Sequence, residues 1–167
     1  MPLAYSTAFP EDAGECIAMR GKTRQNAISE EQLRSMGITV ETWSTAVREG
    51  ELTGKLCKQE DAIVGYCFGS RTSAEIMVLA LLPEYEDKGI GKKLLSLVIQ
   101  EITALDHTRL HLGCSADQND RSHGFYRRLG WESSGEFDSN GDEILFLNVN
   151  RSSAAARDAL YLPKEGP

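Results

Sequence analysis

Positive charge is in short supply in this chain. Lys and Arg number 18 against 25 Asp and Glu, a formal net charge of −7. Nucleic-acid binding needs a basic face that displaces counterions, so no nucleic-acid partner is expected. Long apolar runs are missing too. Ile76 to Leu82 is among the longest, far below the roughly 20 residues that span a bilayer. The first residues, Met1-Pro2-Leu3-Ala4-Tyr5, lack the basic stretch and apolar run of a secretory signal. The expectation is a soluble, cytoplasmic protein without a membrane partner. None of the four cysteines (Cys16, Cys57, Cys67, Cys114) forms a CxxC pair, and the three histidines supply no matching pair, so no metal site is expected. Cys67 and Cys114 fall in apolar strand patterns and read as small buried hydrophobes. Reduced thiols fit the cytosol.

The residues that are present suit one folded domain. The chain has 167 residues, 41% of them hydrophobic, enough for one core. Residues 1–150 read as that domain. Residues 151–167, Ala/Ser-rich and then bearing Pro and Gly, read as a C-terminal tail.

Local signals divide the domain into elements. Leu3 to Ser6 suits a short strand, and Pro10 suits the first turn of a helix. Ser29-Glu30-Glu31-Gln32 has capping-box spacing, and Thr39 suits the cap of a further helix. Glu51–Lys58 and Ala62–Gly69 read as two strands around Glu60-Asp61. Ala74–Leu82 reads as a third, ended by Pro83. In the segment from Gly89 to Leu105, Ile90, Leu94, Val98, Ile102 and Leu105 recur every three or four positions, which predicts a helix. Arg109–Cys114 suits a strand. Asp117 is expected to cap a helix that ends at Gly130. Trp131–Phe137 and Glu143–Val149 suit a closing hairpin. This order predicts an α/β layered domain with a mixed central sheet and helices on both faces.

Two segments carry chemistry. In Asp87-Lys88-Gly89-Ile90-Gly91-Lys92, two glycines open a helix after a strand. Free N–H groups and the helix dipole make such a start an anion site, and glycines let a bulky phosphate approach the backbone. The pattern is neither a P-loop nor a full dinucleotide fingerprint, since Leu94 replaces the third glycine. Taken alone, it also fits a helix start with small residues for packing. The second segment is Asn119-Asp120-Arg121-Ser122-His123-Gly124-Phe125-Tyr126-Arg127-Arg128-Leu129-Gly130-Trp131.

Together the two segments resemble the paired signatures of the GNAT family of N-acetyltransferases. The first signature is (Q/R)-x-x-G-x-(G/A), with Glu86 here in place of Gln or Arg. The second is N-x-x-(A/S)-x-x-F-Y-x-x-x-G-(F/W), matched by Asn119, Ser122, Phe125, Tyr126, Gly130 and Trp131. The resemblance covers roughly residues 64–146. It implies a GNAT fold of about seven strands whose fourth and fifth splay apart to admit pantetheine. It implies acetyl-CoA as cosubstrate, held by Leu79, Leu81, Lys88, Gly89, Ile90, Gly91, Lys92, Asn119 and Tyr126. Backbone groups of Leu79 and Leu81 would bond the pantetheine and thioester, and Tyr126 would protonate the departing thiolate.

Glu75 is the candidate base. It lies 14 residues before Gly89, the spacing of the catalytic glutamate in the histone-acetyltransferase branch. Strand alternation would put it on the face of Leu79 and Leu81. A water chain is the alternative. In the family, the segment between the first helices lines the acceptor site, which assigns Arg20, Arg24 and Asn26 to substrate. Trp43, Tyr66 and Phe68 either line an apolar part of that pocket or fill the core. The expected function is an acyltransferase that moves acetyl directly to a primary amine of a small molecule. A protein (lysine or N-terminal) acetyltransferase and a non-catalytic acyl-CoA-binding module remain alternatives. The family's common homodimer carries over as an expectation, with no exposed apolar stripe to assign to it.

Overall fold

The computed structural model describes residues 2–23 and 27–149. Arg24, Asn26 and the tail from residue 151 lie outside the described residues. No helix among the described residues is long and apolar enough to cross a membrane.

Chain order begins with β1 (Ala4–Thr7), a 3-10 turn at Pro10–Asp12, and α1 (Ala13–Arg20). α2 (Glu30–Ser35) and α3 (Val40–Arg48) follow, both with the expected caps. Ser29 Oγ accepts from the Gln32 amide at 3.1 Å, and Gln32 Oε1 accepts from the Ser29 amide at 2.9 Å. Each satisfies a donor that the helix start leaves open. Next come β2 (Leu52–Gln59), β3 (Ala62–Ser70), β4 (Ile76–Leu81), α4 (Ile90–Thr103), β5 (Arg109–Cys114), α5 (Arg121–Arg128), β6 (Glu132–Phe137) and β7 (Glu143–Asn148).

The strands form two antiparallel sheets rather than one mixed ladder. Their orders are β1-β2-β3-β4 and β5-β7-β6. A single parallel bridge, Glu75 to His111, joins them at the start of β4, where the His111 amide donates to the Ala74 carbonyl at 3.2 Å. Beyond that bridge no ladder between β4 and β5 is found among the described residues.

Helices cover both faces, as the layered pattern predicts. On one face Leu94, Val98 and Ile102 of α4 pack with Cys67, Leu110 and Leu145. On the other, Cys16 and Met19 of α1 and Trp43 of α3 pack with Leu56, Tyr66 and Phe68. Gly54 is required there: a Cβ on it would lie 2.3 Å from the Phe68 ring. A polar tie joins the first sheet to α4. Glu101 on α4 takes Lys55 Nζ at 2.7 Å and the Thr53 hydroxyl, both from β2. All four cysteines are buried and free.

The start of α5 differs from the expectation. Its cap position is Asp120, not Asp117. The Asp117 carboxylate instead accepts the Asn119 amide at 2.9 Å, and the Asp117 carbonyl accepts the Asp120 amide at 3.0 Å. An aspartate that bonds the backbone two residues on builds a local turn, and that turn delays the helix.

Candidate active site

The site is a cleft of about 930 Å³ where β4 and β5 part, with Ile76–Leu81 on one side and Leu112–Ser115 on the other. That size is at the upper end for small-ligand pockets. Its geometry starts in β4. Phe68 pairs with Val78, but Gly69 pairs with Ile76, so Met77 is an extra residue and the strand bulges. Beyond the bulge the Leu82 amide donates to the Val64 carbonyl at 3.0 Å. In an antiparallel ladder the bonded residues alternate. Leu82, Ala80 and Val78 therefore spend their backbone groups on β3, while Leu79 and Leu81 turn theirs toward β5. The missing β5 ladder leaves those groups facing the cleft.

The bulge also corrects the face of Glu75. A one-residue insertion reverses the alternation. Ile76, not Glu75, shares the face of Leu79 and Leu81, all three packing into the α4-side core. The Glu75 backbone is occupied locally: its amide donates to Ser73 Oγ at 3.3 Å and its carbonyl accepts the Ser70 amide at 2.8 Å. Glu75 is not among the residues that line the cleft.

One end of the cleft is the N-terminus of α4. Gly89 caps it in the left-handed region (φ 82°), and no side chain caps the helix. The Lys93 amide donates to the Gly89 carbonyl at 3.1 Å, the bond that opens the helix, so the Ile90 and Gly91 amides precede the ladder. Gly89, Gly91 and Lys92 line the cleft. A Cβ on Gly91 would contact Leu81, Phe125 and Leu79 at 3.5–3.8 Å, so any longer side chain would enter the space. The Ile90 side chain is buried in the core, and Lys88 is exposed and does not line the cleft. Lys93 leaves in another direction, over the Tyr5 ring at 5.8 Å.

The facing wall is α5. Tyr126 is buried against Phe125 and Trp131, with ring centroids at 5.0 and 6.0 Å, and it lines the cleft. Burial pushes its phenol well above the ordinary value, so it stays protonated. Asn119 is exposed in the turn before α5 and is not among the lining residues; the Asp117 turn holds it there. His123 does not line the cleft either.

Two α5 residues had no assigned role in the sequence reading. Ser122 lines the cleft, and its buried hydroxyl has no hydrogen-bond partner among the described residues. Its place in the second signature was the available signal. Arg121 reaches back to Glu86 and Asp87 at 3.7 and 3.0 Å. The acidic exchange at Glu86 is thereby countered within the protein. Arg20, Thr23, Ile28 and Asp142 also line the cleft. Trp43 and Tyr66 border a smaller adjoining cavity, while Phe68 belongs to the core.

The GNAT acetyltransferase family model matches residues 19–131. The chain belongs to the GNAT acetyltransferase family. It is an acetyl-CoA-dependent N-acetyltransferase, with acetyl-CoA as its cosubstrate. The fold of this acetyltransferase is shared by solved structures of low identity. PaiA N-acetyltransferase from Thermoplasma acidophilum, in complex with coenzyme A, is 20% identical with a TM-score of 0.73, over 89% of this chain and 99% of that one. The ribosomal-protein-S18-alanine N-acetyltransferase from Escherichia coli is 16% identical with a TM-score of 0.67, over 92% and 97%. YncA from Salmonella typhimurium, with its cofactor acetyl-CoA, is 15% identical with a TM-score of 0.66, over 92% and 98%. No curated protein matches the acetyltransferase's sequence.

The residues fit that cosubstrate. An uncapped helix start with glycines suits a pyrophosphate. The outward groups of Leu79 and Leu81 suit an amide-bearing arm, and the unpartnered Ser122 hydroxyl is a further polar contact at the same wall.

Proposed function

We propose that this acetyltransferase acetylates the primary amine of a small molecule by direct attack, without an acyl-enzyme. The observation that carries the reading is the pairing across one cleft of outward Leu79 and Leu81 backbone groups with a buried, protonated Tyr126. The Leu79 N–H is the donor for the oxygen that gains charge during transfer, a contact worth about 3 kcal/mol in such sites. Tyr126 gives its proton to the departing sulfur. One C–N bond forms and the C–S bond breaks. The proton that the amine loses passes through water back to Tyr126, so one proton leaves nitrogen, one ends on sulfur, and Tyr126 is restored.

Ile90, Gly91 and Lys92 hold the pyrophosphate at the helix start. Arg20 faces the acceptor. Cys114 also lines the cleft, but burial comes first among the influences that raise its thiol pKa, which disfavours the thiolate a covalent route needs. With Glu75 outside the cleft, water in the open acceptor side takes the amine proton. The small-molecule acceptor is supported by walls from α1, α2 and β4 that meet around one cavity of about 140 Å³.

Calorimetry and thermal unfolding with acetyl-CoA, CoA, ATP and NAD test the cofactor half, on wild type and Gly91→Glu. Acetyl-CoA at about 100 times its Kd should add about 2.7 kcal/mol of stability to wild type alone. Equal binding of ATP and NAD would sink the reading. Free amines assayed beside lysine and N-terminal peptides test the acceptor half; exclusive use of peptides would reject it.

A further inference from the structure

The cavity beside the cleft differs from it in chemistry. It measures about 140 Å³ and is walled by Ile17, Leu33, Ile38, Trp43, Met77 and Val78. No carboxylate lines it among the described residues. It shares Arg20, Ile28, Met36, Met77 and Val78 with the cleft, so the two adjoin at the β4 bulge. An apolar cavity of about 150 Å³ holds a benzene ring. This one therefore has room for one aromatic ring or one branched aliphatic group. A cationic chain placed there would lose hydration with no opposite charge to replace it.

Two further features point to an apolar occupant. Met36 and Met77 are 57% and 44% exposed, unusual for large apolar side chains, and both border this cavity. Methionine adapts its shape to a partner more readily than branched residues do. At the junction stands the part-buried Arg20, close enough to Tyr66 and Tyr126 to interact with both. A guanidinium in that position suits a planar carboxylate.

We infer that the acceptor is a free α-amino acid with an apolar or aromatic side chain. The side chain fills the cavity, the carboxylate lies on Arg20, and the amine points to the cleft beside Leu79. This rests on the transferase reading above. The reaction is the same balanced one: the amino nitrogen gains the acetyl carbon, the C–S bond breaks, and the proton lost by nitrogen is matched by the one gained by sulfur.

The test measures thiol release from saturating acetyl-CoA with phenylalanine, leucine, glycine, phenethylamine and spermidine. The expected kcat/KM for phenylalanine or leucine exceeds that for glycine by about tenfold or more, the worth of burying such a side chain. Ile38→Trp, which fills the cavity, should erase most of that advantage. Met36→Asp does the same at an exposed position and serves if the first variant misfolds. Arg20→Gln should lower the preference for phenylalanine over phenethylamine. Acetyl-CoA affinity is measured calorimetrically on every variant. Spermidine or glycine used as well as phenylalanine would overturn the inference, as would a phenylalanine advantage that survives both cavity variants. So would an acetyl-CoA-binding protein that acetylates none of the five. Loss of acetyl-CoA binding in wild type would strike the transferase reading itself.

Discussion

Arg121, in the first turn of α5, lies 3.7 Å from Glu86 and 3.0 Å from Asp87 in the turn before α4. The contact ties together the two elements that face each other across the cleft. It also offsets two carboxylates beside the proposed pyrophosphate site. Glu86 is the more consequential of the two, because only 12% of its side chain is exposed.

Arg121→Ala should therefore weaken acetyl-CoA binding by about tenfold, a loss of about 1.4 kcal/mol. The double variant Arg121→Ala/Glu86→Gln should recover most of it, because the uncompensated charge is gone. Calorimetric titration of the three proteins checks this. Equal affinities in wild type and Arg121→Ala would show that the ion pair is irrelevant to the cofactor.

Tyr126→Phe should lower kcat about 10²-fold, the usual worth of a positioned acid, with acetyl-CoA Kd nearly unchanged. Glu75→Gln should retain most of the rate from about pH 6 to 9, since the bulge at Met77 leaves residue 75 outside the cleft. Steady-state profiles of both variants separate the roles. A large loss in Glu75→Gln at neutral pH would return it to the site as base.

The third expectation concerns stability. Burial tends to raise the Glu101 carboxyl pKa, but the hydrogen bonds from Lys55 and Thr53 outweigh it and leave the value below the ordinary one. A depressed carboxyl stabilises the fold above its unfolded pKa, and the contribution is lost as pH falls through the folded value. Glu101→Gln should lower Tm by about 2–4 °C at pH 7, for a partly exposed tie worth about 1 kcal/mol. The gap to wild type should close as pH falls below the ordinary carboxylate range and through the folded value. A gap that persists in acid would mean that packing, not charge, is what the variant removes.

Much of this protein was legible before folding because its signals are local. Caps at Ser29 and Thr39, the breaker at Pro83 and the period of α4 each involve residues within a few positions, and each element formed where those signals lie. The glycines at 89 and 91 marked the start of α4 for the same reason: the backbone itself provides the uncapped helix end. Tyr126 followed from a signature carried on one helix and its flanks.

Other features were decided only by tertiary structure. The β4 bulge arises from pairing with β3, and no residue of β4 by itself announces an extra Met77. That one residue reversed the alternation and removed Glu75 from the face assigned to it. The ion pair of Arg121 with Glu86 joins residues 35 positions apart, which a single sequence does not link. Asn119 matched the signature but was turned to solvent by Asp117. The apolar cavity draws its walls from α1, α2, α3 and β4 at once. Local sequence thus determined the elements and the uncapped, glycine-bearing start of α4. Long-range strand register and helix packing decided which side chains meet, because the free energy of those contacts depends on neighbours distant in the chain.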